Sequence, residues 1–158
     1  MEASGAGKKT LVTGAGGFVG ANLVRRLLGD GHRVDAIVRP GSDDWRLQGL
    51  GDELLSVHEV DLREPDPLVE LVEQLRPQWI FHLATHGAYS SQQDVQQIFE
   101  TTVAGTENLL EACLSAGFEA FVNSGSSSEY GYKDHAPAES EELEPNSHYA
   151  QAKAQASQ

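Results

Sequence analysis

Tyr149 and Lys153 stand four residues apart in Ser147-His-Tyr-Ala-Gln-Ala-Lys153. On a helix, that spacing sets both side chains on one face. A phenol with an unperturbed pKa of about 10 is a poor base at neutral pH. An ammonium beside it, with a second cation nearby, stabilises the phenolate. Lowering the pKa by roughly 3 units corresponds to about 4 kcal/mol, which two cations in a partly desolvated cleft can supply. Tyr149 is then able to move a proton. On its own the pair also describes an ordinary helix surface, so its meaning depends on the elements around it.

A second chemical signal lies near the start of the chain, in Thr13-Gly14-Ala15-Gly16-Gly17-Phe18-Val19-Gly20. Gly14, Gly17 and Gly20 recur at intervals of three. The first allows a sharp turn, the second a close backbone approach to a pyrophosphate, and the third close packing of the following helix. Phe18 and Val19 open that helix, whose free N–H groups and positive dipole end suit a phosphate. The loop therefore predicts a dinucleotide, and a nicotinamide would be the second cation that Tyr149 needs. At the tip of the second predicted strand, where an acid usually meets the ribose of NAD, the chain reads Val38-Arg39. Asp35 comes too early to serve. Arg39, with Ser42 as a second donor, suits the 2′-phosphate of NADP, which is favoured over NAD.

Alternating segments position these residues. Apolar runs at 10–13, 33–38, 54–60, 79–84 and from 120 read as strands. Helical stripes at about 18–28, 67–75 and 95–116 separate them, the last ending at Gly117. Strands alternating with helices imply an α/β fold, a doubly wound parallel sheet of three αβα layers. The ligand crevice is expected at the carboxyl ends of the first and fourth strands. Residues 1–9 read as a flexible tail, and 10–158 as one Rossmann domain incomplete at its C-terminus. The acidic stretch 133–146 reads as a solvated surface loop.

The glycine pattern, the block Asn123-Ser-Gly-Ser-Ser-Ser-Glu-Tyr-Gly131 and the Tyr149/Lys153 pair together resemble the extended short-chain dehydrogenase/reductase family of sugar-nucleotide enzymes. The resemblance spans nearly everything from Lys9 to Lys153. It implies that Ser126 is the catalytic hydroxyl, orienting the substrate toward Tyr149, and that Lys153 also holds the nicotinamide ribose. It implies an adenine contact at Asp61-Leu62 and a nicotinamide-side loop at Leu83-Ala84-Thr85. The loop after the fourth strand, including His86, Tyr89 and Ser90, would line the substrate side. Dehydratases of the family usually place acids between the catalytic Ser/Thr and Tyr-Gly. Here Ser127 and Ser128 stand there, with Glu129 one place later, which leaves 4-keto reduction or epimerisation of a nucleoside-diphosphate sugar. Thr102 occupies a position where the family often has Asn, and that loss is expected to weaken a polar contact. His148 is expected to point off the catalytic face and is given no role.

Composition bounds the alternatives. The formal charge of 11 − 24 = −13 would repel a phosphate backbone, so nucleic acid is not expected as a partner. No apolar run reaches the roughly 18 residues of a membrane span, and residues 1–9 lack the apolar core of a signal peptide. The single cysteine, Cys113, lies in an apolar helical stretch and reads as a buried small hydrophobe. A reducing, cytoplasmic setting follows as the expectation. No metal site is expected, since His82 and His86 lack a carboxylate or thiol at ligand spacing. The chain stops five residues after Lys153, before the family's substrate domain. The competing readings are therefore an enzyme in its full-length form, possible as a homodimer, and a dinucleotide-binding module without turnover.

Overall fold

The computed structural model describes residues 7–51 and 53–158. Five parallel strands form one sheet in the order β3-β2-β1-β4-β5: β1 Lys9–Thr13, β2 Arg33–Val38, β3 Leu55–Glu59, β4 Trp79–His82 and β5 Ala120–Asn123. The chain winds outward from β1 through β2 to β3, then returns to build β4 and β5 on the other side of β1. That reversal leaves a crevice beyond the carboxyl ends of β1 and β4, the doubly wound arrangement expected from the alternating segments.

Alternation within the strands sends neighbouring side chains to opposite layers. Val12, Val34 and Ala36 pack with Val24, Leu27 and Leu28 of helix α1 (Phe18–Gly29). Leu11, Ile37 and Ile80 face the other way, onto Leu68 and Val72 of α2 (Pro65–Leu75) and Leu109 and Ala112 of α4 (Gly105–Ala116). Cys113 lies in that second layer, and burial pushes its thiol up to about 12. It is a packing residue there. The crossover from β2 to β3 contains no helix among its described residues, 39–51 and 53–54.

Some boundaries differ from the sequence expectation for identifiable reasons. β1 begins at Lys9, inside the segment read as a tail, because Lys9 pairs with Arg33 across the sheet. Lys8 is also held, its Nζ 2.8 Å from a Glu119 carboxylate oxygen. Residues 1–6 of that segment lie outside the described residues. α2 starts at Pro65, a residue suited to a first helical turn. β4 ends at His82, because the Leu83 and Ala84 N–H groups turn to the Thr13 hydroxyl instead of a neighbouring strand. The long helix expected over 95–116 is three pieces: α3 (Val95–Phe99), a π-helical turn (Glu100–Ala104) and α4. At the seam the Gly105 N–H donates to the Glu100 carbonyl, five residues back. The chain closes with a 3₁₀ turn (Ser127–Tyr130) and α5 (His148–Ala156).

Two glycines fix the loop between β1 and α1. Gly14 has φ +65°, and a Cβ there would lie 2.8 Å from the Ala84 nitrogen and 2.9 Å from the Leu83 carbonyl carbon. A Cβ on Gly20 would lie 2.2 Å from the Gly14 carbonyl oxygen. The loop thus folds back onto the first turn of its own helix. Gly20→Ala is expected to cost about 2–3 kcal/mol, because the clash is with backbone that cannot swing away. Gly29→Ala, with nothing within 4 Å of the added atom, should stabilise α1 by about 0.5–1 kcal/mol. Urea denaturation of both variants checks the contrast, and equal losses would contradict it.

Candidate active site

A cleft of about 600 Å³ opens over the carboxyl ends of β1, β2 and β4. Gly14, Gly17, Phe18, Val19 and Gly20 line it from the glycine loop, and Arg39 and Ser42 from the end of β2. Asp61 and Leu62 line it from beyond β3, with Leu83, Ala84, Thr85, His86 and Tyr89 from beyond β4. One concavity therefore collects twelve of the cofactor residues read from the sequence: all but Tyr149 and Lys153. α1 enters the cleft with Gly17 as cap, no side-chain cap and no acidic residue in its first turn. Its Phe18 and Val19 N–H groups lie before the first intrahelical bond, from Ala21 N–H to the Gly17 carbonyl at 3.0 Å. A phosphate would complete that helix end.

The walls carry charges of both signs. The Ser42 hydroxyl donates to the Arg39 carbonyl at 2.6 Å and so closes a turn. Asp43 lines the same wall, its carboxylate accepting from the Trp45 N–H at 3.0 Å. Arg46 Nη1 donates to the Gly16 carbonyl at 3.4 Å, which brings a second guanidinium to the glycine loop. Asp61 is held below the usual carboxylate range chiefly by its hydrogen bonds with Arg63, at 2.6 to 3.1 Å, with Arg39 contributing charge. Local sequence does not reveal the Arg46–Gly16 contact or the Arg39 charge near Asp61, since both depend on how residues 39–46 fold back.

Beneath the cleft, His82 is buried and both its ring nitrogens are bonded. Its Nδ1 lies 2.7 Å from Thr13 Oγ1, and its Nε2 2.9 Å from Thr106 Oγ1. The Thr106 hydroxyl donates to the Thr102 carbonyl at 2.6 Å, so Thr106 Oγ1 accepts from Nε2–H. Thr13 Oγ1 already accepts from Leu83 and Ala84 N–H, both at 3.2 Å, so its own proton goes to Nδ1. The ring is neutral in this arrangement. Burial, reinforced by the Lys153 charge, lowers its pKa to about 4. Thr102 is buried in the π turn, and its hydroxyl is 3.3 Å from Thr85 Oγ1 and 3.4 Å from the His86 nitrogen. Thr102 thus meets the turn after β4 at long hydrogen-bond distances.

A second cavity, of about 540 Å³, adjoins the first and shares Ala88, Tyr89 and Gln92 with it. Ser90, Ser147, His148 and Tyr149 also line it. His148, expected to point off the catalytic face, is the first residue of α5 and borders this cavity beside Tyr149. Gln92 shapes the shared loop, its amide oxygen accepting from Gly87 N–H at 3.1 Å and Tyr89 N–H at 3.2 Å. Its Nε2 lies 3.3 Å from His86 Nδ1. Burial is the main cause of a lowered His86 pKa, followed by the Arg39 charge.

Ser126 and Lys153 line neither cavity. Ser126 caps the 3₁₀ turn, its Oγ accepting from Ser128 N–H at 3.2 Å, which leaves the hydroxyl proton free. Lys153, on the same helix face as Tyr149, is 3% exposed and donates from Nζ to the Ser124 carbonyl. Desolvation lowers its pKa, and the Glu129 charge opposes that shift. Glu129, one place beyond the family's acidic position, is also buried.

A parallel sheet with a glycine loop over its switch point defines a Rossmann-type dinucleotide-binding domain. The family model of the NAD dependent epimerase/dehydratase family matches residues 10–158, and the chain belongs to that family. It is 40% identical over 124 residues to a putative dihydroflavonol 4-reductase of Synechocystis sp., covering 77% of this chain and 34% of that protein. It is 36% identical over 157 residues to a UDP-glucose 4-epimerase of Mycolicibacterium smegmatis, covering 92% and 48%. The NAD complex of UDP-glucuronic acid 4-epimerase from Bacillus cereus superposes with a TM-score of 0.81 at 28% identity, covering 94% of this chain and 50% of that one. The chain thus spans a third to a half of the length of the relatives it matches. The three named are two epimerases and a putative reductase, and the family is one of NAD-dependent enzymes. Among the described residues no helix is long and apolar enough to cross a membrane.

The buried neutral histidine predicts an acid-sensitive fold. With a folded pKa of about 4 against about 6.5 when unfolded, stability is full above pH 6.5 and falls as pH drops toward 4. The loss attributable to His82 approaches about 3 kcal/mol. His86, also lowered, acts in the same direction. Urea midpoints between pH 7 and 4 should fall more steeply for the parent chain than for His82→Gln. Parallel curves would remove His82 as the cause.

Proposed function

We propose that this chain carries the cofactor site and proton-transfer residues of an NADP-dependent oxidoreductase that reduces the 4-keto group of a nucleoside-diphosphate sugar. The junction of the two cavities carries this reading. A cleft suited to a dinucleotide meets, at Ala88, Tyr89 and Gln92, a polar cavity bordered by Tyr149. Gly14, Gly17, Phe18, Val19 and Gly20 would hold the pyrophosphate, and Asp61 and Leu62 the adenine. Leu83, Ala84 and Thr85 would flank the nicotinamide. His86, Tyr89 and Ser90 would face the sugar.

A bound dinucleotide supplies the hydride in this chemistry. The Tyr149 hydroxyl gives its proton to the sugar carbonyl oxygen as that oxygen becomes an alkoxide. The Lys153 ammonium stabilises the phenolate left behind. Ser126 donates its free hydroxyl proton in a hydrogen bond to the same oxygen, because its capping role uses only a lone pair. Glu129 turns Oε1 to the Ser126 N–H at 2.6 Å, which speaks for a structural role over that of a dehydratase base. A second reading, 4-epimerisation, is supported by the likeness to a UDP-glucose 4-epimerase over 92% of the chain. It would use the same Tyr149, with hydride returned to the opposite face of the sugar. The exposed Leu110 and Leu114 of α4 support a homodimer through that helix.

Arg39 in the cleft wall and Arg46 at the glycine loop support NADP. Asp43 on the same wall supports NAD instead, through a ribose 2′-hydroxyl. Fluorescence titration separates the two: NADPH should bind more tightly than NADH, and Arg39→Ala should weaken NADPH about tenfold or more while sparing NADH. Equal affinities, or tighter NADH, would return the cofactor to NAD. In the full-length enzyme, Tyr149→Phe should lower turnover about 10³-fold, with cofactor affinity changed by less than about twofold. Retained turnover would mean that another group moves the proton.

A further inference from the structure

Gly125 sits between two buried ionic groups of opposite sign. On its N-terminal side, the Lys153 ammonium donates to the Ser124 carbonyl. On its C-terminal side, Glu129 Oε1 accepts the Ser126 N–H at 2.6 Å. Glu129 is 6% exposed and Lys153 3% exposed, so neither is a solvated surface charge. The same carboxylate oxygen lies 3.4 Å from the Ser157 hydroxyl at the end of α5, which links the 3₁₀ turn to the helix bearing Tyr149 and Lys153. The Glu129 main-chain oxygen accepts from the Glu144 N–H at 3.1 Å, so its backbone is fixed as well.

We propose that Glu129 is a positioning residue for the Ser126, Tyr149 and Lys153 group, its buried carboxylate pinning the Ser126 backbone while its charge balances Lys153 across Gly125. A glutamine would suffice for the hydrogen bond to Ser126. A carboxylate is needed because the ammonium on the far side of Gly125 is desolvated: among the described residues Glu129 from the 3₁₀ turn opposes that effect, His82 from β4 is neutral, and Tyr149 lies one turn back on the same helix. Burial of a lone ammonium favours loss of its proton. A neutral Lys153 could not stabilise a phenolate on Tyr149. The negative charge at Glu129 thereby preserves the cation that the proton transfer uses, without touching substrate or cofactor.

The inference rests on the catalytic assignment of Ser126, Tyr149 and Lys153, but its test needs no turnover and so succeeds or fails separately. The chain has four lysines, Lys8, Lys9, Lys133 and Lys153, so ¹³Cε labelling resolves each ammonium by NMR. Glu129→Gln keeps an acceptor for the Ser126 N–H and removes the charge. The Lys153 proton affinity should fall about tenfold or more, with the other three lysines unmoved. A folded Glu129→Gln chain with an unchanged Lys153 titration would overturn the proposal and leave Glu129 as a loop cap only. If that variant does not fold, Glu129→Asp and Glu129→Asn compare side chains of one length with and without the charge. Lys153 should hold its proton more weakly in the Asn variant, and equal Lys153 titrations in the two would overturn the proposal equally.

Discussion

The hydrogen-bond chain through His82 ties the end of β1 to the end of β4 and to the start of α4. The rest of the cleft is arranged around it. Thr13 accepts two backbone N–H groups from the turn after β4 and still has a proton for His82. A protonated ring would present a third donor to an oxygen with only two lone pairs. Neutrality of the ring is therefore a condition of this geometry as well as a result of burial. With the Leu83–Ala84 turn held there, the glycine loop can lie directly against it, at a distance that leaves no space for a Cβ on Gly14.

The π turn is part of the same construction. One additional residue per turn lets the Glu100 carbonyl bond Gly105, while the Thr102 carbonyl receives the Thr106 hydroxyl. Thr102 is thereby buried with its hydroxyl against Thr85 and His86, the residues that turn the chain from β4 into the loop between the two cavities. A regular α-helix would send the Glu100 carbonyl to the Ala104 N–H instead. The irregularity serves the site, as isolated π turns often do.

Charge is distributed unevenly for so acidic a chain. A formal charge of −13 would disfavour an anionic cofactor if it acted at the cleft. The first turn of α1 has no acid, Asp61 is neutralised by Arg63, and Arg39 and Arg46 stand near the glycine loop. Much of the excess acid lies in the exposed loop before α5. Over such distances it is largely screened at physiological ionic strength.

The sequence by itself determined the elements whose signals are local. Hydrophobic period, glycine spacing and the strand–helix alternation were enough for the sheet and for the loop over its switch point, while the cleft residues beyond β3 and β4 came from the family resemblance. Tyr149 and Lys153 share a face by helical geometry alone. Only the tertiary structure decided the rest. The burial of Glu129 beside the serine loop, the opposition of Asp43 and Arg39 on one wall, the place of His148 at the second cavity and the break in the long helix all depend on contacts between residues distant in the chain. Period and spacing describe a segment's own geometry. Whether a side chain is desolvated, and against which charge, is settled only when another segment packs over it.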